Sequence, residues 1–226
     1  MRTLFRTTSI AIAITLANVG LGAAQAGSSA AVLPFENAGS YGRDKDEFDA
    51  LRRGLAATLA AELSAAGAQV IGRDRVQAAI DGAGVAAEKI DLATAARIGK
   101  GLGVRYVVVA SFIDLYGDFR IDANIVDVES GQVVKVVRSD PKLSDQQEMY
   151  RSVQSVADRL GEAMQLRPRG PARRNVPSEA LGLYSRALLY GDRGDRPRAT
   201  EFLNRALKLF PDYPEALAEL KRLQGS

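Results

Sequence analysis

Five large apolar side chains, Phe48, Leu51, Leu55, Leu59 and Leu63, recur at spacings of three and four. That periodicity places them on one face of a helix. Burying each is worth on the order of 1.5–3 kcal/mol, so the stripe has to be covered. Short apolar runs flank it: Ala30-Ala31-Val32-Leu33-Pro34-Phe35 before, and Ala68-Gln69-Val70-Ile71 after. Each run is bounded by turn residues and reads as a buried strand, with Pro34 confined to a strand end or edge. Strand, helix and strand of these lengths specify a βαβ unit, two parallel strands with the helix lying on their sheet. Asp44, three residues before Glu47, is placed to cap the helix start with a reciprocal carboxylate. The acidic group Asp44, Asp46, Glu47 and Asp49 reads as first-turn carboxylates facing the helix dipole rather than as a metal site.

Further along, Val76 to Ile80 reads as a short helix broken by Gly82 and Gly84. Another starts near Asp91 and carries Leu92, Ala95, Ile98 and Leu102. Gly99, Gly101 and Gly103 are spaced GxGxG and precede a strand, the wrong order for a phosphate cradle, so they read as helix termination. Three strands follow. Residues 105–116 are apolar on both faces. In residues 119–127, Phe119, Ile121, Ala123 and Ile125 alternate with Arg120, Asp122 and Asn124. Val133 to Val137 completes an antiparallel meander. Strands this long also suit an outer-membrane barrel, but the first does not alternate, which favours a soluble core sheet. A last helix, from about Asp145 to Met164, buries Met149, Val153, Val156, Leu160 and Met164. The expected class is α/β (α+β): a mixed sheet with a carboxyl-terminal antiparallel meander, flanked by helices.

The chain has no Cys and no His. Thiol nucleophiles, disulfides and the usual zinc sites are excluded, and no catalytic, cofactor or metal residue is assigned. Enzymatic acid–base work is left to carboxylates, Lys, Tyr and Ser, and no loop gathers two of the carboxylates. Residues 1–26 read as a secretory signal: Arg2 and Arg6, the apolar run Ile10 to Ala17, then Ala24-Gln25-Ala26 for cleavage after Ala26. Loss of the two arginines lowers the formal charge from +3 to +1, so the basic balance does not indicate nucleic acid. No later run is apolar enough for a membrane helix, and without Cys no lipid anchor can be attached.

Residues 165–177 (QLRPRGPARRNVP) read as a linker, because three Pro and one Gly oppose regular structure. Arg167, Arg169, Arg173 and Arg174 make it basic; it is either a solvated spacer or a contact for an anionic surface such as lipid phosphates. Residues 178–226 form a separate all-α module. Ser178 is placed to cap a helix carrying Leu181, Tyr184 and Leu188, with Tyr190 on the flanking turn. Arg193-Gly194-Asp195 reads as an inter-helix turn. A second helix holds Ala199, Leu203, Ala206 and Leu207 and ends at Pro211; a third runs from about Pro214 to Leu223. The small residues Ala199 and Ala206, with Tyr190 and Pro211, fall at the spacings of one tetratricopeptide (TPR) unit with a capping helix, which the segment resembles. An unrelated αα-hairpin is the alternative. One such unit cannot bury both its faces, so the body, another copy or a partner must cover it. Leu181, Tyr184, Leu188 and Tyr190 are the candidate partner-binding residues.

The body, residues 27–164, carries Val32 to Phe35, Arg73 to Val76, Ile98 to Ser111 and Val126 to Gly131 in an order that resembles the exported α/β domain of the curli-secretion (CsgG) family and the TolB amino-terminal-like domain. The resemblance implies a non-catalytic domain of envelope assembly or secretion. The resulting expectation is a periplasmic adaptor that binds an envelope protein or peptide, with homo-oligomerisation and outer-membrane association as open options. Membrane contact is expected to be peripheral at most, with no nucleic acid and no cofactor. The alternative is a subunit of an outer-membrane secretion channel, which the missing lipidation Cys and membrane hairpins disfavour.

Overall fold

The computed structural model describes residues 28–42, 44–86, 89–143, 145–167 and 174–225. The expected signal segment, Arg169 and Arg173 fall outside them. In chain order the elements are β1 (Ser29–Val32), β2 (Glu36–Asn37), α1 (Lys45–Ala65), β3 (Gln69–Val70), α2 (Arg73–Gly82) and α3 (Leu92–Leu102). The meander follows as β4 (Tyr106–Leu115), β5 (Asp118–Asp127) and β6 (Val133–Arg138), and then come α4 (Met149–Ala163), α5 (Ser178–Asp192), α6 (Arg196–Leu209) and α7 (Pro214–Gly225). The strands form one mixed sheet in the order β3-β1-β4-β5-β6, with β2 also pairing β4. β3, β1 and β4 are parallel, and β4, β5 and β6 are antiparallel, as the expected βαβ unit and meander require.

The expected first strand, Ala30 to Phe35, ends at Val32, ahead of Pro34, and the second strand is made by Glu36-Asn37 beyond its expected end. The chain bends at Leu33 to Phe35 and rejoins β4 as β2. Arg52 of α1 holds the bend: its Nε donates to the Phe35 carbonyl at 2.7 Å, and Phe35 N–H donates to the Arg52 carbonyl at 3.1 Å. Asp44 caps α1 by accepting from Glu47 N–H at 2.7 Å. The stripe Phe48, Leu51, Leu55, Leu59 and Leu63 is buried in the core that also holds Phe112, Ile121 and Ile125 of the sheet. Ala50, Gly54, Thr58 and Glu62, on another face of α1, are also buried, because α5 packs there.

Asp91 caps α3, accepting from Thr94 N–H at 2.7 Å. Of the three glycines read as terminators, only Gly103 (φ +69°) ends the helix. Gly99 lies inside it, where a Cβ would sit 2.3 Å from a Val107 methyl and 2.6 Å from Val128, so its role is close approach to β4. Gly101 is also within the helix. The expected helix from Asp145 opens instead as 3-10 turns at Pro141–Leu143 and Gln146–Glu148 before α4 begins.

α1 and α4 lie on one face of the sheet, and α2 and α3 on the other. α5 packs behind α1, α6 on α5 and α7 on α6. α5 approaches α1 closely at Gly54, where a Cβ would stand 2.6 Å from Ser185 Cβ. The carboxyl-terminal helices therefore share one hydrophobic core with the sheet. Ser178 makes no side-chain cap bond; Pro177 occupies the cap position, and Tyr190 lies within α5 rather than on the following turn.

Candidate functional site

Three of the four side chains expected to meet a partner are turned inward. Leu181, Tyr184 and Leu188 are buried in the shared core, the Tyr184 ring 5.2 Å from that of Tyr213. The fourth, Tyr190, is half-buried and stacks on Phe202 at 5.4 Å, with the Arg193 and Arg198 guanidinium groups 5.9 and 5.3 Å from its ring centre. A partner could reach the first three only if α5 left α1. The apolar face that one helical pair leaves open is covered here by the body of the same chain.

The linker arginines separate in the same way. Arg167 is exposed. Arg174 is a fastener: it grips Glu215 of α7 through two hydrogen bonds of 3.0 Å and reaches Glu62 of α1 at 3.3 Å. Glu62 is buried and also accepts from the Tyr150 hydroxyl at 2.7 Å. Burial pushes the Tyr150 phenol above its usual range, with the Glu215 charge adding to it. An Arg held in this two-pronged grip is taken up inside the protein rather than offered to an external anion.

Two further clusters lock α5 and α7 to the body. Asp192, in the last turn of α5, accepts from Arg53 at 3.0 Å and from Arg73, and Glu219 of α7 binds Arg222 at 2.6 Å and Arg73 at 3.4 Å. At the start of α1, Asp46 pairs with Arg193 at 2.9 Å and Glu47 with Arg186. The hydrogen bond and charge of Arg193 hold the Asp46 carboxyl below its usual range. The first-turn carboxylates thus do more than face a helix dipole. The sequence carried a signal for this: an acidic helix start followed by a module with Arg186 in α5 and Arg193 just after it.

Two open clefts flank these locks. A groove of about 570 Å³ between α1, the β3–α2 turn and α7 has Ala57, Ala60 and Val70 on its floor and Arg73, Arg75 and Arg222 at its rim. A cleft of about 380 Å³ is lined by Glu47, Glu179, Arg186 and Arg205. Among the described residues no group of three or more acidic side chains is placed to hold a metal ion. No described helix is long and apolar enough to cross a membrane.

The meander presents a different surface. Its register puts Val109, Asn124 and Val136 in one row on the face that bears α2 and α3, and Ser111, Asp122 and Arg138 in the next. α2 and α3 cover Ala31, Leu33 and Val107 at the other end of that face. α3 also reaches Val126 at the end of β5, which is buried, but among the described residues no helix covers the β6 rows, and Val133, Val134 and Val136 are exposed, Val136 at 66%. At the β4–β5 turn, Tyr116 is 90% exposed and has φ +55°, a conformation unfavourable for a side-chain-bearing residue. Leu115 and Tyr41, which bridges to it, are exposed beside Tyr116. These residues were not singled out by sequence reasoning. The available signal was a strand, Val133 to Arg138, that places apolar side chains at adjacent positions instead of alternating.

No protein-family model matches the chain, and no curated protein matches it. Among solved structures it is similar to the LpoB carboxyl-terminal domain from Escherichia coli, at 16% identity over 50% of this chain and 80% of that one, with a TM-score of 0.40. It is similar to TolB from Acinetobacter baumannii at 17% identity, over 61% of this chain and 28% of that one, with a TM-score of 0.42. A PelC dodecamer subunit from Paraburkholderia phytofirmans is similar at 14% identity, over 63% and 90%, with a TM-score of 0.34. At these identities and TM-scores the likeness carries no partner, activity or assembly state over to this chain.

Proposed function

We propose that the chain is a non-catalytic interaction protein of the bacterial envelope, exported by the leader read in residues 1–26, and that it presents the meander end of its sheet to another envelope protein. The observation behind this is where exposed apolar side chains lie. Of nine large ones among the described residues, six (Tyr41, Leu115, Tyr116, Val133, Val134 and Val136) belong to the meander or bridge to it; Leu92, Leu209 and Leu217 are scattered over helices. The six form two groups, Tyr41, Leu115 and Tyr116 at the β4–β5 turn and Val133, Val134 and Val136 towards the other end of β5. Clustered apolar exposure marks protein-binding surfaces, and Tyr is enriched among the residues that dominate them. A strained backbone that holds an aromatic ring out in water fits the same role. The buried carboxylate Glu62 is held by Tyr150 and Arg174. The three carboxyl-terminal helices, which keep the tetratricopeptide-like spacing, act in this reading as a brace on α1 rather than as a peptide clasp.

The test is site-specific photo-crosslinking in intact cells, with a benzophenone amino acid at Tyr116, at Val136 and, as a control, at Leu217. One envelope protein captured from both meander positions and not from Leu217 is the expected result. No adduct at either meander position, or the same adduct at Leu217, would sink the reading.

A further inference from the structure

Among the described residues β6 is an edge strand with one neighbour. Ser139 N–H donates to the Ile121 carbonyl at 2.8 Å, and antiparallel pairing alternates from there. The amides of Val137 and Lys135 therefore point at β5, whereas those of Arg138 and Val136 point away from the sheet. The Arg159 guanidinium of α4 fills one outward position, donating to the Arg138 carbonyl at 2.7 Å. A bulge between Ile125 and Val126 leaves Val134 without a register partner. The backbone between Val134 and Val136 is thus open, flanked by exposed valines and guarded by one lysine. Proteins usually shield such an edge with charge, Pro or a covering element, because it is a template for another strand.

The charges select the occupant. β6 carries Lys135 and Arg138 and no acid. Asp122, the carboxylate facing it, is already shared by Arg138 at 2.7 Å and Arg120 at 3.1 Å. A second copy docked edge to edge would bring a second Lys135 to the seam and no acid on its own β6 to answer it. Six residues of edge also fall short of the roughly 1,200–2,000 Å² that stable protein–protein interfaces bury. An extended segment that adds a strand needs far less area, since backbone hydrogen bonds supply much of its affinity. We infer that the free edge of β6 receives, by strand addition, an extended segment of a partner protein that alternates apolar with acidic side chains. This rests on the interaction role proposed above and names its mode and its partner's chemistry.

The probe is a fluorescein-labelled octapeptide alternating valine and glutamate, titrated against the mature protein by anisotropy. Two controls accompany it: a lysine-for-glutamate peptide and a version N-methylated on the amides that would face β6. The acidic peptide should bind, the lysine peptide about tenfold more weakly or less, and the N-methylated one not at all. Val136→Pro, which removes an outward N–H, should abolish binding while circular dichroism stays unchanged. Lys135→Glu should weaken it about threefold. Because the N-methylated control needs no protein variant, a misfolded Val136→Pro does not remove the test. Equal binding of the acidic and lysine peptides, binding of the N-methylated one, or no binding of the acidic one overturns the inference. So does self-association that Val136→Pro abolishes, which would assign the edge to a second copy. If the acidic peptide fails while crosslinking from Tyr116 still captures an envelope protein, strand addition falls and the interaction role stands; failure of both removes both.

Discussion

On one face of the sheet Phe112, Ile121 and Ile125 lie under α1 and α4, α5 packs behind α1, and apolar side chains from Ala30 to Ala216 share one core. On the other face α2 and α3 cover Ala31, Leu33, Val107 and the Val126 end of β5, and among the described residues the β6 row with Val136 stays in water. The first face is braced twice, by helices on the sheet and by helices on those helices. The second runs out of cover part-way across. The difference separates two uses of apolar surface: side chains that hold the fold together are sealed by the chain itself, and those left over gather where its helices end.

The largest expected effect tests how far the braced side acts as one unit. Tyr213→Ala empties a fully buried site beside Tyr184 and should cost about 3–5 kcal/mol, in a single denaturant transition. Two separate transitions would show that the carboxyl-terminal helices fold on their own. Arg174→Ala removes a charge partner of buried Glu62 and should cost about 2–3 kcal/mol, below a fully buried pair because Arg174 is 31% exposed. Arg174→Lys should restore little of this, since one ammonium cannot reproduce the two-pronged grip on Glu215.

Gly54→Ala forces α5 off α1 and should cost about 1–3 kcal/mol, with Ser185→Gly recovering part of it in a double-mutant cycle. A Gly54→Ala protein as stable as the parent would break the picture of a tight helix crossing. pH gives a further probe. Burial raises the phenols of Tyr150, Tyr184 and Tyr213, so their folded values lie above the unfolded value of 10.0. That stability is intact below about pH 10 and declines as pH rises further, because the unfolded chain releases these protons first. Tyrosinate absorbance from the three should appear only with unfolding; its appearance in folded protein would contradict their burial. The depressed carboxyls act in the opposite direction: Asp46 beside Arg193, and Asp91 and Asp127 on the backbone N–H groups of Thr94 and Ser130, lose their stabilisation as pH falls below about 4. The smallest effect belongs to the bare side, where Val136→Ser should change stability by no more than about 0.5 kcal/mol. A larger loss, measured by urea unfolding, would mean that β6 is part of the brace.

Periodicity in the sequence was enough to place α1 against a sheet and to set out the meander, because burial leaves a strong period in Leu55, Leu59 and Leu63 and in Phe119, Ile121 and Ile125. It did not reveal the second buried face of α1. Ala50, Gly54 and Thr58 are small, and small residues carry little periodic signal even where two helices cross closely. The requirement that the Leu181, Tyr184 and Leu188 face be covered was legible; the identity of the cover was not, since a covering surface on the same chain leaves the same pattern as one on a partner. Arg174 sits in a Pro-rich, basic stretch whose composition suggests solvent, while the acids that claim it lie 112 and 41 positions away. Pairings across such distances are set by the packing of helices and leave no local trace. The β6 edge was read as a strand but not as a surface, because its openness follows from what fails to pack beside it.

The crossing of α5 over α1 also determines what survives a cut. A protease acting between α4 and α5 would not liberate two working halves: the amino-terminal piece would carry Gly54 and Thr58 on a wet, uncovered helix, and the carboxyl-terminal piece would show Leu181, Tyr184 and Leu188 to water. Nicked protein should stay associated until denatured, and neither fragment can be transplanted alone onto another scaffold without a substitute for the surface it lost.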